Sequence, residues 1–268
     1  MIDLHIHSTI SHDGKASLRE HCQKAIELGL KEAGFAEHLD LNNVDPHAGL
    51  HDYKRYQAEI EQARREFPAL AVRMGVEASF MPQGQKTIRD FLEGKEYDYV
   101  LAAVHMVEGG KYTVSEEGPC RDFFSRRSAK ECYEEFFELT LAAVKSGLFD
   151  AVAHLDVINR YGLTICPDWE WRLFYGLIRR IFERMTKRGM ALEINTSGFR
   201  QTPGRPYPDR DLLKLYRELG GQMITIGSDA HKIENLASGV PQALKMAREL
   251  GFSRVVTFER RNPKWLKI

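Results

Sequence analysis

Residues 2–7 read Ile-Asp-Leu-His-Ile-His, and the segment that follows, Ser8-Thr-Ile-Ser-His-Asp-Gly14, is not a glycine-rich phosphate loop. A short apolar run closed by His5 and His7 has the length of a buried strand. An open nucleotide-binding sheet would often turn into such a loop directly after its first strand. Similar runs recur at 32–36, 71–76, 99–104, 151–154, 191–194 and 223–226. Between them lie stretches of helical periodicity at 18–28, 53–66, 129–146, 169–188 and 209–219. Strand and helix alternating about seven times predict parallel strands with helices packed outside. Closure into an α/β barrel is therefore expected over an open doubly wound sheet. Gly29, Gly147, Gly189 and Gly220 follow four of the helical stretches, where a left-handed C-cap favours glycine. Residues 254–258 read as a further strand or a tail. Without a linker, repeat or break in composition, one domain over 1–268 is the simplest expectation.

The composition is that of an ordinary globular chain, with 43% apolar and 28% charged residues. Lys+Arg and Asp+Glu number 38 each, so the formal net charge is zero. That balance argues against broad electrostatic binding to nucleic acid or an anionic membrane, though not against a local basic pocket. Cys22, Cys120, Cys132 and Cys166 form no C-x-x-C pair and read as reduced thiols. No run approaches the ~18 apolar residues of a membrane span, and the polar start is not that of a signal peptide. A cytoplasmic protein is expected.

The ten histidines carry the functional signal. His5 and His7 end the first run, and His38 follows the second. His105 follows the fourth, His154 ends the fifth and His231 follows the last. In a parallel barrel the C-terminal strand ends form one rim, where active sites are built. Alternation along a strand puts both imidazoles of His5-Ile-His7 on one face, and Asp229-Ala-His231 repeats the spacing. Glu77 closes Val72-Arg-Met-Gly-Val-Glu. Imidazole combined with carboxylate suits zinc, manganese or iron rather than calcium or magnesium. In the loop after the first strand, either His12 or Asp13 can reach a metal. His21, mid-helix, and His47 and His51, in a polar loop, are expected at the surface.

At these residues the chain resembles the polymerase-and-histidinol-phosphatase (PHP) family, in its histidinol-phosphatase branch. The similar segments are Asp3-Leu-His-Ile-His-Ser, Ser11-His-Asp-Gly, Phe35-Ala-Glu-His-Leu-Asp, Gly75-Val-Glu-Ala, Val104-His, Ala153-His-Leu-Asp, Glu193-Ile-Asn-Thr-Ser-Gly and Gly227-Ser-Asp-Ala-His. The resemblance implies a distorted (β/α)7 TIM-like barrel with three divalent metal ions (Zn, Mn or Fe). It implies a first metal on His5, His7, Glu77 and Asp229, and a second on Asp13, His38 and His231. A third would lie on Glu77, His105 and His154, which makes Glu77 a catalytic bridge. Matching Ser11 to the family's serine puts Asp13, not His12, on the second metal, and Glu37 stands where an Asp is common.

Arg160 lies six residues past His154, and Arg200 ends the loop Asn195-Thr-Ser-Gly-Phe-Arg. Both belong on the rim, and a guanidinium matches phosphate oxygens bidentately. In the branch, arginines in these places resemble catalytic, phosphate-binding residues; His12 is a further candidate for contact with the substrate. Arg126, Arg127 and Arg205 are weaker candidates of the same kind. The reaction expected is in-line attack on phosphorus by a hydroxide bridging the metals, with L-histidinol phosphate the foremost of the small phosphate esters considered. His12, Glu37 and Asp156 are possible proton donors to the leaving group. Asp40, Glu108, Glu116 and Tyr161 are candidates for holding the rest of the substrate. A PHP-type nucleotide phosphatase or nuclease, and an amidohydrolase-type metal-dependent hydrolase, are the alternatives. The sequence has no G-x-S-x-G elbow.

Overall fold

The computed structural model describes residues 1–268 except Asn43 and Pro46. Seven parallel strands stand side by side in chain order: Ile2–Ile6, Glu32–Leu39, Ala71–Ser79, Tyr99–Ala103, Ala151–Val152, Ala191–Asn195 and Ile224–Gly227. Each neighbouring pair is joined by a helical crossover, the connection that parallel strands require. The first strand then meets the last: Asp229 N–H donates to His5 O at 2.7 Å and His7 N–H to Ala230 O at 2.9 Å. The result is a nearly closed barrel. Asp3 clasps the same seam from within, its buried carboxylate accepting from the N–H groups of Ser228 (2.8 Å) and Ala237 (2.9 Å).

Alternate residues of each strand face the barrel interior. Below the rim that interior is filled by Tyr99, whose hydroxyl donates to Leu4 O at 2.7 Å. Its ring has room only because two facing positions are glycine. A Cβ on Gly75 would lie 2.1 Å from Tyr99 Cζ, and one on Gly34 would lie 2.5 Å from its hydroxyl. Outside, the amphipathic helix Tyr53–Glu66 buries Tyr56, Ile60 and Ala63, and Tyr56 ties back to the carbonyls of Phe35 and Gly75. Capping boxes start Leu18–Glu27 (Ser17 with Glu20) and Ala129–Ser146 (Ser128 with Glu131). Gly147 and Gly189 end their helices left-handed, and Gly29 and Gly220 also have positive φ, as their positions predict.

The structure adjusts several expected boundaries. The second and third strands run on to Leu39 and Ser79, so His38 and Glu77 lie inside regular strands. The fifth holds only Ala151–Val152, because the chain turns before His154. The expected helix at 169–188 begins at Tyr175, after one 3-10 turn at Trp171–Phe174. Helices Gln85–Leu92, Glu117–Ser125, Asn159–Ile165 and Val240–Glu249, absent from the expected set, complete the outer layer. Residues 254–258 belong to a strand, Arg254–Glu259, paired antiparallel with Asn262–Lys267. This hairpin covers the bottom of the barrel, where Thr257 donates to Glu32 and Phe258 packs near Tyr99. Among the described residues no helix is long and apolar enough to cross a membrane.

Candidate metal centre

Nine side chains from the strand ends converge on one mouth. Glu77 is the centre of the group: one oxygen lies 2.6 Å from His154 Nε2 and 3.4 Å from His105 Nε2. The other lies 3.0 Å from His38 Nδ1 and 3.6 Å from Nε2 of both His5 and His7. Asp229 Oδ1 stands 3.5 Å from His7 Nε2, 3.9 Å from His5 Nε2 and 3.4 Å from His231 Nδ1. Three sets have ligand atoms within 4.8 Å of one another: His5 with His7 and Asp229, His7 with His38 and His231, and Glu77 with His105 and His154. Asp13 joins the second, 3.1 Å from His231 Nε2 and 3.5 Å from His38 Nε2.

Hydrogen bonds behind the rings fix which nitrogen faces the mouth. His5 Nδ1 lies 2.6 Å from Glu193 Oε1, an acceptor, so Nδ1 carries the proton. Ser11 Oγ donates to Glu37 at 2.5 Å and accepts the N–H of His38 at 3.0 Å, which leaves it an acceptor for His7 Nδ1 at 3.2 Å. Both Nε2 atoms therefore offer lone pairs, and they lie 3.0 Å apart. Two lone pairs so close repel unless a proton or a metal ion lies between them. The donor set fits a divalent metal: neutral imidazoles oriented from behind, with carboxylates completing each group. Asp13 Oδ1 and His154 Nδ1, both buried, have no hydrogen-bond partner among the described residues.

Protonation in the absence of a cation follows the same contacts. Burial works against a charged His5, but Glu193, Glu77 and Asp229 outweigh it and raise its pKa well above the usual value. His38 is raised likewise against burial by Asp13 and Glu77. Burial and the surrounding imidazoles hold His7 well below. Glu77 and Asp229 lie below the carboxylate range despite burial, because histidines surround them. Two of the converging residues also carry backbone strain: His154 (φ 23°) and Asp229 (φ 54°) are non-glycine residues with positive φ.

The mouth opens into a cavity of about 250 Å³ walled in part by His12, Asp40, Glu116, Arg160 and Gln201. Asp13 faces the His38–His231 pair, whereas the His12 ring stacks on His47 with centroids 3.7 Å apart. His47 is thus at the cavity wall, not on a remote surface loop, because its ring packs against His12 at the rim. His51 is also drawn inward, bonded to His38 O and the Tyr97 hydroxyl at 2.9 Å each; burial lowers its pKa to about 4. His21, expected at the surface, is fully buried on the inner face of its helix against Phe35.

Two expected proton donors are displaced. Glu37 is buried and receives the N–H and hydroxyl groups of both Ser8 and Ser11, so it holds the loop rather than facing the cavity. Asp156 is buried beneath the rim beside Asn159, and burial first, then Asp209, raises its pKa to about 7. Arg160 lines the cavity with its guanidinium over Tyr161. Arg200 lies beside it rather than in its wall, Nη2 donating to Ser228 O at 2.8 Å. Of the weaker arginines, Arg205 pairs with Asp209 and Arg127 with Glu135, and Arg126 is exposed. Glu108 is an exposed turn residue away from the wall. Sequence reasoning missed Glu193, Ser11 and Asn195, which touch candidate ligands from behind; their strand-end motifs were visible, their orienting contacts were not.

A histidinol phosphate phosphatase from Lactococcus lactis subsp. lactis Il1403, crystallised with zinc, L-histidinol and phosphate, superposes with a TM-score of 0.88 at 26% identity, covering 98% of each chain. A probable histidinol-phosphatase of Deinococcus radiodurans is 29% identical over 97% of both chains. The histidinol-phosphatase of Lactococcus lactis subsp. lactis is 27% identical over 96% of this chain and 94% of its own. The PHP domain matches residues 3–197, a span that carries the first six strands and seven of the nine converging side chains. With both the sequence and the shape of the barrel shared, the chain belongs to the PHP domain family.

Proposed function

We propose that this chain is a metal-dependent phosphomonoesterase that hydrolyses L-histidinol phosphate to L-histidinol and phosphate, a step of histidine biosynthesis. The observation that carries the reading is the convergence of six imidazoles and three carboxylates, Glu77 at their centre, with Arg160 on the same cavity. The Lactococcus enzyme of the same shape, which holds zinc, L-histidinol and phosphate, supports the substrate. We assign His5, His7, Glu77 and Asp229 to one divalent ion, Asp13, His38 and His231 to a second, and Glu77, His105 and His154 to a third, the ions being zinc, manganese or iron. Such ions supply a water nucleophile ionised near neutral pH and positive charge for phosphoryl oxygens.

The chain's own groups do the rest. Glu77 and Asp229 stay ionised and the imidazoles neutral, so each group presents lone pairs to a cation. Arg160 is placed to hold the phosphoryl oxygens as negative charge redistributes over them. Arg200, anchored on Ser228 O, is a second contact from the cavity's edge. His12, made less basic by burial, is uncharged at neutral pH and offers the substrate a hydrogen bond. Asp40 and Glu116 place carboxyl groups in the wall, acceptors suited to a cationic leaving group. All four cysteines are unpaired, which suits the reducing cytoplasm to which we assign the enzyme.

The test is phosphate release from a panel of histidinol phosphate, nucleotides and sugar phosphates, with metal content measured on the same preparation. Preference for histidinol phosphate by metal-loaded protein is expected. Preference for a nucleotide would overturn the substrate and leave the chemistry; full activity after removal of all metal would overturn the chemistry.

A further inference from the structure

Glu193 lies on the sixth strand, buried and outside the cavity wall, and takes no part in the reaction described above. We propose that it is a positioning residue that couples two of the metal sites, holding His5 and His154 at once. The inference rests on the metal assignment made above.

One carboxylate oxygen takes His5 Nδ1 at 2.6 Å, and the other takes His154 N–H at 2.9 Å and Asn195 Nδ2 at 3.1 Å. Only an acceptor at both ends serves all three donors. On His5 it keeps the proton on Nδ1, leaving Nε2 free to face Glu77 and Asp229. On His154 it anchors the N–H of a residue at φ 23°, a conformation that needs outside restraint. Asn195 Nδ2 also lies 3.3 Å from Asp229 Oδ2, so the contact extends to a ligand on the last strand. The neighbouring strand makes room for the arrangement: a Cβ on Gly227 would lie 2.4 Å from Glu193 Oε1 and 2.2 Å from His5 Cβ.

Glu193→Gln keeps the shape and removes the double acceptor. With its oxygen toward His5, its NH2 meets the N–H groups of His154 and Asn195. Turned round, its NH2 meets His5 Nδ1, which can accept only if the proton moves to Nε2, the nitrogen facing the metal. The first orientation sets two contacts donor against donor; the second sets one so, or moves the His5 proton to Nε2.

Zinc binding by wild type and E193Q, measured in free-zinc buffers with elemental analysis, tests this. The first and third sites should weaken roughly 10- to 100-fold, while the site of Asp13, His38 and His231 keeps its affinity. At intermediate free zinc, E193Q should then approach one ion per chain. Equal affinities in the two proteins overturn the inference. So does uniform weakening of all sites with a lowered Tm of the metal-free form, which marks a merely structural role. Should E193Q not fold, 15N NMR of zinc-loaded wild type decides: His5 must show a protonated Nδ1, and coordination through Nδ1 overturns the proposal. Wild type that binds no zinc, manganese or iron would remove the metal assignment itself and this inference with it.

Discussion

Placing a methyl group on Gly75 tests the claim that Tyr99 fills the barrel. The added carbon would lie 2.1 Å from Tyr99 Cζ and 2.3 Å from Cε2, where carbon atoms ordinarily rest about 3.5–4.0 Å apart. Neither partner can retreat freely. Gly75 is paired in register with Phe35's neighbour Ala36 on one side and with Tyr99 itself on the other. The Tyr99 hydroxyl is held by Leu4 O across the barrel. An overlap of well over 1 Å belongs at the upper end of the overpacking range, about 3 kcal/mol. At roughly 2–4 °C per kcal/mol for a chain of this size, Tm of the metal-free protein should fall by about 6–12 °C. Tyr99→Ala alone should cost about 3–5 kcal/mol through the cavity it leaves. In G75A/Y99A the methyl meets empty space, so the double variant should be no less stable than Y99A. Calorimetry or urea unfolding on the four proteins supplies the cycle. A Tm shift below about 2 °C for G75A, or additive costs in the double variant, would refute the packing argument.

Three further outcomes follow from the site. Ser11→Ala strands two buried donors, His7 Nδ1–H and His38 N–H, and should destabilise the metal-free protein by about 2–5 kcal/mol, read by thermal unfolding; an unchanged Tm would show that Ser11 does not hold these groups. Arg160→Ala should lower kcat/KM for a phosphate monoester by about 10- to 150-fold, the value of a charged hydrogen bond. Arg200→Ala should cost less, and steady-state kinetics showing the reverse order would exchange their roles. The pKa values of His5, His38, His154 and His231 are raised in the metal-free fold against burial, by neighbouring carboxylates. Their stabilisation is complete below the unfolded value of about 6.5 and is lost as pH rises through the folded values; His7, held low, opposes them. Metal binding displaces those protons, so the Tm gap between zinc-loaded and metal-free protein should widen as pH rises past about 6.5. A gap that narrows over that range contradicts the assignment.

The barrel and its rim were readable in the sequence because both rest on period. Seven apolar runs gave the strands, and imidazoles at their C-terminal ends gave one face, so His5, His38, His105, His154 and His231 could be placed together. What escaped depends on contacts across the barrel. Glu193 and Ser11 stand in motifs that carry the family resemblance, but only the structure shows which ring each faces. His47 and His51 sit in a polar segment whose inward contacts leave no periodic trace. His21 lies on the buried side of a helix whose mean composition is polar. The sequence ranked Asp13 over His12 only through the match at Ser11; the contacts that separate them, Asp13 with His231 Nε2 at 3.1 Å and the His12 ring with His47, lie across loops. The hairpin at the end was undecided because its second strand, Asn262–Lys267, is mostly exposed and carries no apolar run.

The Asp3 clasp also bears on how the polypeptide is made. Its partners Ser228 and Ala237 are 225 and 234 residues away, so until they are made the carboxylate has, of these protein donors, only the N–H of His5 at 3.3 Å. While the ribosome is still working, the first six strands can assemble only as an open, curved sheet with a free edge. Until Asp229 is made and the seam shuts, the donor set proposed for a cation at His5 is incomplete.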